Sequence, residues 1–89
     1  MANPLIAERT KKVIGENIRR LRKDSGRSVV ELTGKLKMPR PYWYELEQGM
    51  VNYTVERLEQ IAGLMGVTVR DLLTERKSSR REMVGAAKR

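Results

Sequence analysis

Stop signals come at short, regular intervals in this chain, and each follows a run whose apolar residues repeat at helical spacing. Val13, Ile14, Ile18 and Leu21 form the first stripe, in residues 10–24, and Ser25-Gly26 closes it, since glycine takes a left-handed cap without a Cβ penalty. Ser28 opens the next helix. In the run S-V-V-E the Ser28 hydroxyl can accept from the backbone three residues on while Glu31 reaches back, which is a capping box. Leu32, Thr33 and Leu36 supply that helix's buried face. Lys37-Met38-Pro39 ends it, because a residue before proline is pushed out of the helical region. A third helix runs through PYWYELEQ to Gly49. A fourth starts near Thr54, carries Leu58, Ile61, Ala62 and Met65, and ends at Gly66; a short fifth has Thr68 and Asp71 as a cap pair and closes on Leu72 and Leu73. Nothing alternates as a strand does. The expectation is an all-α chain with five helices: residues 1–9 as an arm or a short helix starting at Pro4 behind Asn3, residues 10–73 as one domain, and residues 74–89 as a flexible basic tail too poor in apolar side chains to fold alone.

Composition removes whole classes of chemistry. With neither cysteine nor histidine among 89 residues, there are no disulfides, zinc fingers, Cys–His nucleophiles or Ser–His triads. Ser, Asp, Glu and Lys remain, but no pair has the spacing of a catalytic site, so neither an enzyme nor a cofactor is expected. No apolar stretch approaches the roughly 18 residues of a membrane span. The N-terminal MANPLIAERTKK has charges directly after a very short apolar patch, which is no signal-peptide core. The expected location is the cytoplasm. Nineteen basic against eleven acidic residues give a net charge of +8 and a pI near 10.3. That balance points to a polyanion, since neutralising phosphates releases condensed counterions. Charge alone does not separate DNA from RNA or an anionic membrane.

Residues 28–48 bear on that separation, although their spacing alone fits one helical hairpin among many. A capped helix, a three-residue turn and a second short helix let one helix cross the DNA backbone while the next enters the major groove. The stretches Ile18-Arg19-Arg20-Leu21-Arg22, the Gly26 turn, Ser28 with Leu32, Glu47-Gln48-Gly49, and LMGVTVRDLL at the end of the fourth and fifth helices all stand in order. On these residues the chain, over residues 15–73, resembles the phage-repressor and Cro-type (XRE-like) helix-turn-helix family. The resemblance implies a five-helix, lambda-repressor-like DNA-binding domain whose second and third helices form the reading unit. It also implies dimers on palindromic operators, and an ion pair between Arg22 and Glu47 that ties the first helix to the end of the third. Three departures stand out: Val29 replaces a glutamine often used on a phosphate, Thr33 replaces the usual alanine, and Lys37 replaces the usual turn glycine. Lys37 must therefore take a positive φ or signal an altered turn.

On the third helix, Trp43 and Leu46, with Glu47 beside them, fall on one side at helical spacing; Pro41, Tyr44, Glu45 and Gln48 fall on the other. Trp43 is expected in the core, as large indoles mostly are. Proline at both 39 and 41 predicts that the helix begins at Pro41 with Arg40 non-helical just ahead of it. Arg40, Pro41, Tyr44 and Glu45 are the candidate base-reading residues: arginine can donate twice to guanine, a carboxylate can accept from cytosine N4, and proline can offer only apolar contact. Ser28, Lys37, Tyr42, Gln48, Asn52, Tyr53, Arg19, Lys23 and Arg27 are candidates for the DNA backbone. Lys11, Lys12 and Arg20 divide between phosphates and a solvated face, and Arg76, Lys77, Arg80 and Arg81 either meet flanking DNA or keep the tail solvated.

One unit reads only a few base pairs, so a homodimer is expected on double-stranded DNA, with half-sites about 34 Å apart. Its interface is expected at Val67, Val69, Leu72 and Leu73, with Met83 and Val84 adding to it. The reading is a sequence-specific transcriptional regulator, a repressor. Two alternatives stay open: an antitoxin-like regulator that takes a protein partner through its C-terminal region, and a helical adaptor for protein or RNA.

Overall fold

The computed structural model describes residues 4–75, with side chains from residue 7 onward. Five helices follow one another: α1 (Pro4–Ser25), α2 (Val29–Leu36), α3 (Arg40–Gln48), α4 (Val55–Met65) and α5 (Val69–Leu73). Among the described residues there is no strand, and no helix is long and apolar enough to cross a membrane. α1 differs from expectation at its start. No break separates residues 4–9 from residues 10–24; the helix passes through Thr10 unbroken for 22 residues. Nothing in residues 5–9 is a helix breaker, so the periodic stripe further on marks where α1 is buried, not where it begins. Asn3 and residues 76–89, with Met83 and Val84, lie outside the described residues.

Burial follows the apolar stripes. Ile14 and Ile18 of α1, Val29 and Leu32 of α2, Trp43 and Leu46 of α3, Leu58, Ile61 and Ala62 of α4, and Leu72 of α5 close on one another in a single core, with Met38 from the α2–α3 turn. Leu21, Leu36 and Met65 pack at its edge, half-buried. α1 is the axis of the molecule, packing against α3, α5 and α4, while α2 packs against α3.

The caps form where the sequence places them. Ser28 Oγ accepts from Glu31 N at 3.0 Å, but the Glu31 carboxylate does not return to the Ser28 N–H, so only half of the expected box forms; Thr54 Oγ1 accepts from Arg57 N at 3.0 Å, and at Thr68 and Asp71 both halves of a capping box are made. The Asp71 carboxyl is held below its usual range by the Thr68 backbone N–H, then by the Thr68 hydroxyl. One polar residue breaks α1's apolar stripe. Asn17, between Ile14 and Ile18, is 2% exposed; its Nδ2 donates to the carbonyls of Leu72 (2.7 Å), Thr74 (2.9 Å) and Asp71 (3.3 Å), and its Oδ1 accepts from Arg20 at 2.6 Å. It satisfies the carbonyls that α5 leaves open at its end, which a five-residue helix cannot pair internally.

Candidate nucleic-acid interface

α2 and α3 are joined by a three-residue turn that opens on Lys37. Lys37 adopts φ 54° and ψ 52°, the left-handed conformation, and its N–H and that of Met38 both return to Thr33 O. Among the described residues it is the one non-glycine with positive φ. Of the two outcomes open in the sequence, the strained dihedral is the one adopted. A left-handed residue with a Cβ costs about 1–2 kcal/mol, partly offset by the chain entropy that glycine would lose on folding. Lys37→Gly should therefore raise the unfolding free energy by about 0.5–1 kcal/mol in denaturant titration; an unchanged or lower value would show that Lys37 makes a compensating contact.

Arg40 is corrected from the sequence reading. It is the first residue of α3, with Pro39 as N-cap and Pro41 inside the first turn. The missing N–H of Pro41 falls among the donors that a helix start leaves unpaired anyway, so the second proline does not delay the helix.

The two faces of α3 separate cleanly. Trp43, Leu46 and Glu47 are buried, Tyr42 is half-buried, and Arg40, Pro41, Tyr44, Glu45 and Gln48 are exposed. The inward face is held by a polar knot within the core. Glu47, with its side chain 5% exposed, accepts at Oε2 from Arg22 Nε (2.5 Å) and from Trp43 Nε1 (2.6 Å), and at Oε1 from Arg22 Nη2 (3.1 Å). The hydrogen bond to Glu47 raises the Arg22 pKa above its ordinary value against the opposing cost of burial. Trp43 lies one helical turn before Glu47, so its N–H satisfies the carboxylate from within α3 while Arg22 does so from α1.

The end of α3 is clamped as well. Tyr53 donates its hydroxyl to Leu46 O. Burial, with a smaller contribution from Tyr42, pushes that phenol far above its usual range, so it remains a donor. Gly49 caps the helix at φ 74°, pressed against the α1 backbone: a Cβ there would stand 2.9 Å from Lys12 Cα. Gly15 on α1 approaches from the other side, where a Cβ would meet Glu47 O at 2.6 Å and Leu46 O at 2.7 Å.

The remaining candidates fall into two groups. Ser28, Lys37, Gln48, Asn52, Arg19 and Lys23 are exposed. Three others have partners within the chain. Tyr53 is committed to Leu46, the Tyr42 ring lies 5.8 Å beneath the Arg57 guanidinium, and half-buried Arg27 donates to Leu64 O at 2.7 Å, closing the end of α4. Val29 is turned into the core at 7% exposure, and the Thr33 hydroxyl is satisfied by Val29 O at 2.8 Å, so both departures on α2 serve packing. Leu72 is corrected: at 0% exposure it belongs to the chain's own core, wedged where α5 meets α1 and α4, and it has no surface left for a partner. Leu73 is 45% exposed, with Val67 and Val69 half-buried nearby. Asn17 and the Trp43–Glu47 bond were not singled out from sequence. The signals were a polar residue within an apolar stripe, and a donor and an acceptor four residues apart on one helix face.

Known proteins share this arrangement. A family model described as a helix-turn-helix domain matches residues 13–75. The HTH-type transcriptional regulator DdrOP3 of Deinococcus deserti is 36% identical over 58 residues, which are 65% of this chain and 45% of that protein. The match thus spans less than half of the relative's length. The crystal structure of a hypothetical transcription factor, NHTF from Neisseria, superimposes with a TM-score of 0.70 at 26% identity, over 83% of this chain and 84% of that one. With the match running from α1 to the end of α5 and the solved fold coinciding, the chain belongs to the XRE-like helix-turn-helix family.

Proposed function

We propose that this chain is a DNA-binding transcriptional regulator that reads double-stranded DNA with α3 and acts as a homodimeric repressor on a palindromic operator. The observation that carries this reading is the separation of α3 into a locked face and a free one. Glu47, Trp43 and Leu46 hold the helix to α1 and the core, and on the opposite side Arg40, Pro41, Tyr44, Glu45 and Gln48 project with no apolar partner covering them. A helix fixed on one side and polar on the other suits insertion into a groove. Membership in a family with members such as the HTH-type transcriptional regulator DdrOP3 supports regulation as the use of that binding.

Arg40 is the principal reading residue. At the first position of α3 its guanidinium lies at the helix end that enters the groove, where it can donate twice to guanine O6 and N7. Tyr44 and Glu45 lie one turn further on the same face, and Glu45 can accept from cytosine N4. Ser28, Lys37, Gln48 and Asn52 border that face and serve the phosphates. Dimerisation rests on exposed Leu73, with half-buried Val67 and Val69 close to it in sequence.

The test is selection of bound sites from a random duplex pool, followed by binding of the Arg40, Tyr44 and Glu45 alanine variants to every single-base change of the selected site. A palindromic consensus bound by two chains is expected. Arg40→Ala should abolish about 1–3 kcal/mol of discrimination at one position of each half-site, whereas Lys37→Gln should weaken all sequences alike. If the three alanine variants lose affinity uniformly and no position relaxes, the base-reading assignment is wrong. An unsymmetric site bound by a single chain would refute the dimer.

A further inference from the structure

Arginines held in fixed positions on this fold differ in what holds them. Arg9 and Arg22 are paired with the carboxylates of Glu75 and Glu47, and Arg27 with the open carbonyl of Leu64. Arg57, near the start of α4, is held by neutral groups. Its guanidinium lies over the Tyr42 ring, 5.8 Å from the centroid, and Nη1 donates to Gln60 Oε1 at 2.9 Å. Among the described residues no carboxylate stands within ion-pair distance of it. Glu56 and Glu59 flank it in sequence, but residues one and two apart on a helix do not face each other. Half-buried and stacked, Arg57 keeps its full charge in a fixed place.

The ring beneath it borders the reading face. At about 3.6 residues per turn, Tyr42 falls on α3 between exposed Glu45 and buried Leu46. Arg57 therefore stands beside α3 on its α4 side, outside the face that carries Arg40, Tyr44 and Glu45. A major groove is about 12 Å wide, and a helix with its side chains is about 10–12 Å across. A helix such as α3 fills that width. A group standing beside it meets the wall of the groove, which is a sugar–phosphate strand, and not the base edges. Gln60 takes one Nη1 hydrogen, and the rest of the guanidinium edge can fork onto two phosphate oxygens. The stacking and the Gln60 bond set the side chain before DNA arrives, so little of its conformational freedom is left to lose on binding.

We propose that Arg57 clamps a phosphate of the strand walling the groove that α3 enters, and that Tyr42 is its positioning residue. The inference rests on the DNA-binding reading above, and the experiment separates the two. Wild type, Arg57→Gln, Arg57→Lys, Tyr42→Leu and Tyr42→Leu/Arg57→Gln are titrated with sodium chloride on a short random-sequence duplex and on the selected site. The temperature is one at which circular dichroism shows every variant folded. Each phosphate contact contributes about 0.9 to the slope of log K against log salt. Arg57→Gln is expected to lower the slope by about that amount on both duplexes. It should weaken both about fivefold or more at low salt and leave the preference between them unchanged. Arg57→Lys keeps the charge and should keep the slope, with lower affinity because an ammonium cannot fork. Tyr42→Leu should weaken binding when Arg57 is present and add nothing to Arg57→Gln. A slope unmoved by Arg57→Gln, or lowered equally by Lys and Gln, overturns the phosphate clamp. A loss confined to the selected site also overturns it, since Arg57 would then be reading bases. Additive losses at 42 and 57 overturn the positioning role of Tyr42. A wild-type chain with no salt-dependent binding to either duplex overturns the DNA-binding reading itself.

Discussion

Glu47→Ala should lower the unfolding free energy by about 3–4 kcal/mol. Two separate costs arise together. The Arg22 side chain, 17% exposed, keeps its charge in a site without a partner, and the Trp43 N–H, on a residue with no exposure at all, is left without an acceptor. An exposed ion pair would lose under about 1 kcal/mol, so the measurement decides between a knot in the core and two surface charges. For a domain of this size the change is a fall in melting temperature of roughly 12–30 °C. Glu47→Gln keeps an acceptor for the indole and should cost less than half as much. Trp43→Phe removes one donor while Arg22 stays paired, and should cost about 1–2 kcal/mol. The double variant Arg22→Ala/Glu47→Ala should fall well short of the sum of the two single losses, since removing the second partner relieves the charge stranded by the first. Small, additive losses would show that the carboxylate does not hold α3 to α1.

How much of this arrangement could be read from residues depends on the range of the interaction. Helix caps are local: Ser28, Thr54 and Thr68 accept from the backbone N–H three residues on, and each was legible from the sequence alone. The faces of α3 were legible too, because 43, 46 and 47 repeat at helical spacing. The start of α3 was misjudged by one residue. The residue before proline is biased against helical dihedrals, but in the first turn the missing N–H of Pro41 costs no intrahelical bond, so the helix takes in Arg40 against that bias. Leu72 was placed on the wrong surface for a different reason. A five-residue helix gives too short a pattern to show which of two adjacent leucines turns inward, and only the packing of α5 on α1 sends Leu72 in and leaves Leu73 out. Asn17 pairs with carbonyls 54 to 57 residues away, a distance across which no local pattern operates.

Glycine at 15 shows the same limit and carries the second large effect. In sequence it is an unfavourable residue inside a helix, worth about 1 kcal/mol less than alanine, and alanine there looks like an improvement. In the fold, a Cβ would stand 2.6 Å from Glu47 O, 2.7 Å from Leu46 O and 2.9 Å from Gly49 N, all backbone atoms of α3 and its cap. None of these can swing aside as the end of a flexible side chain would, so α1 and α3 must part. Their separation would stretch the Arg22–Glu47 bridge and loosen the Tyr53 bond to Leu46 O, both of which cross the same seam or depend on its position. Overpacking of this kind costs typically 1–3 kcal/mol, occasionally more, and outweighs the gain in propensity. Gly15→Ala is expected to destabilise by about 2 kcal/mol net and to weaken discrimination between the selected site and its single-base variants, since α3 would be presented at an altered tilt. The control is the same substitution elsewhere. Gly34 and Gly63 also lie within helices, and a Cβ added at either meets nothing within 4 Å. Gly34→Ala and Gly63→Ala should each stabilise by about 0.5–1 kcal/mol, with the propensity term acting alone. Opposite signs for one chemical change, read by denaturant titration of the three variants, would locate the α1–α3 contact at Gly15. A stabilising Gly15→Ala would mean that the two helices do not approach each other as closely as their backbones do here.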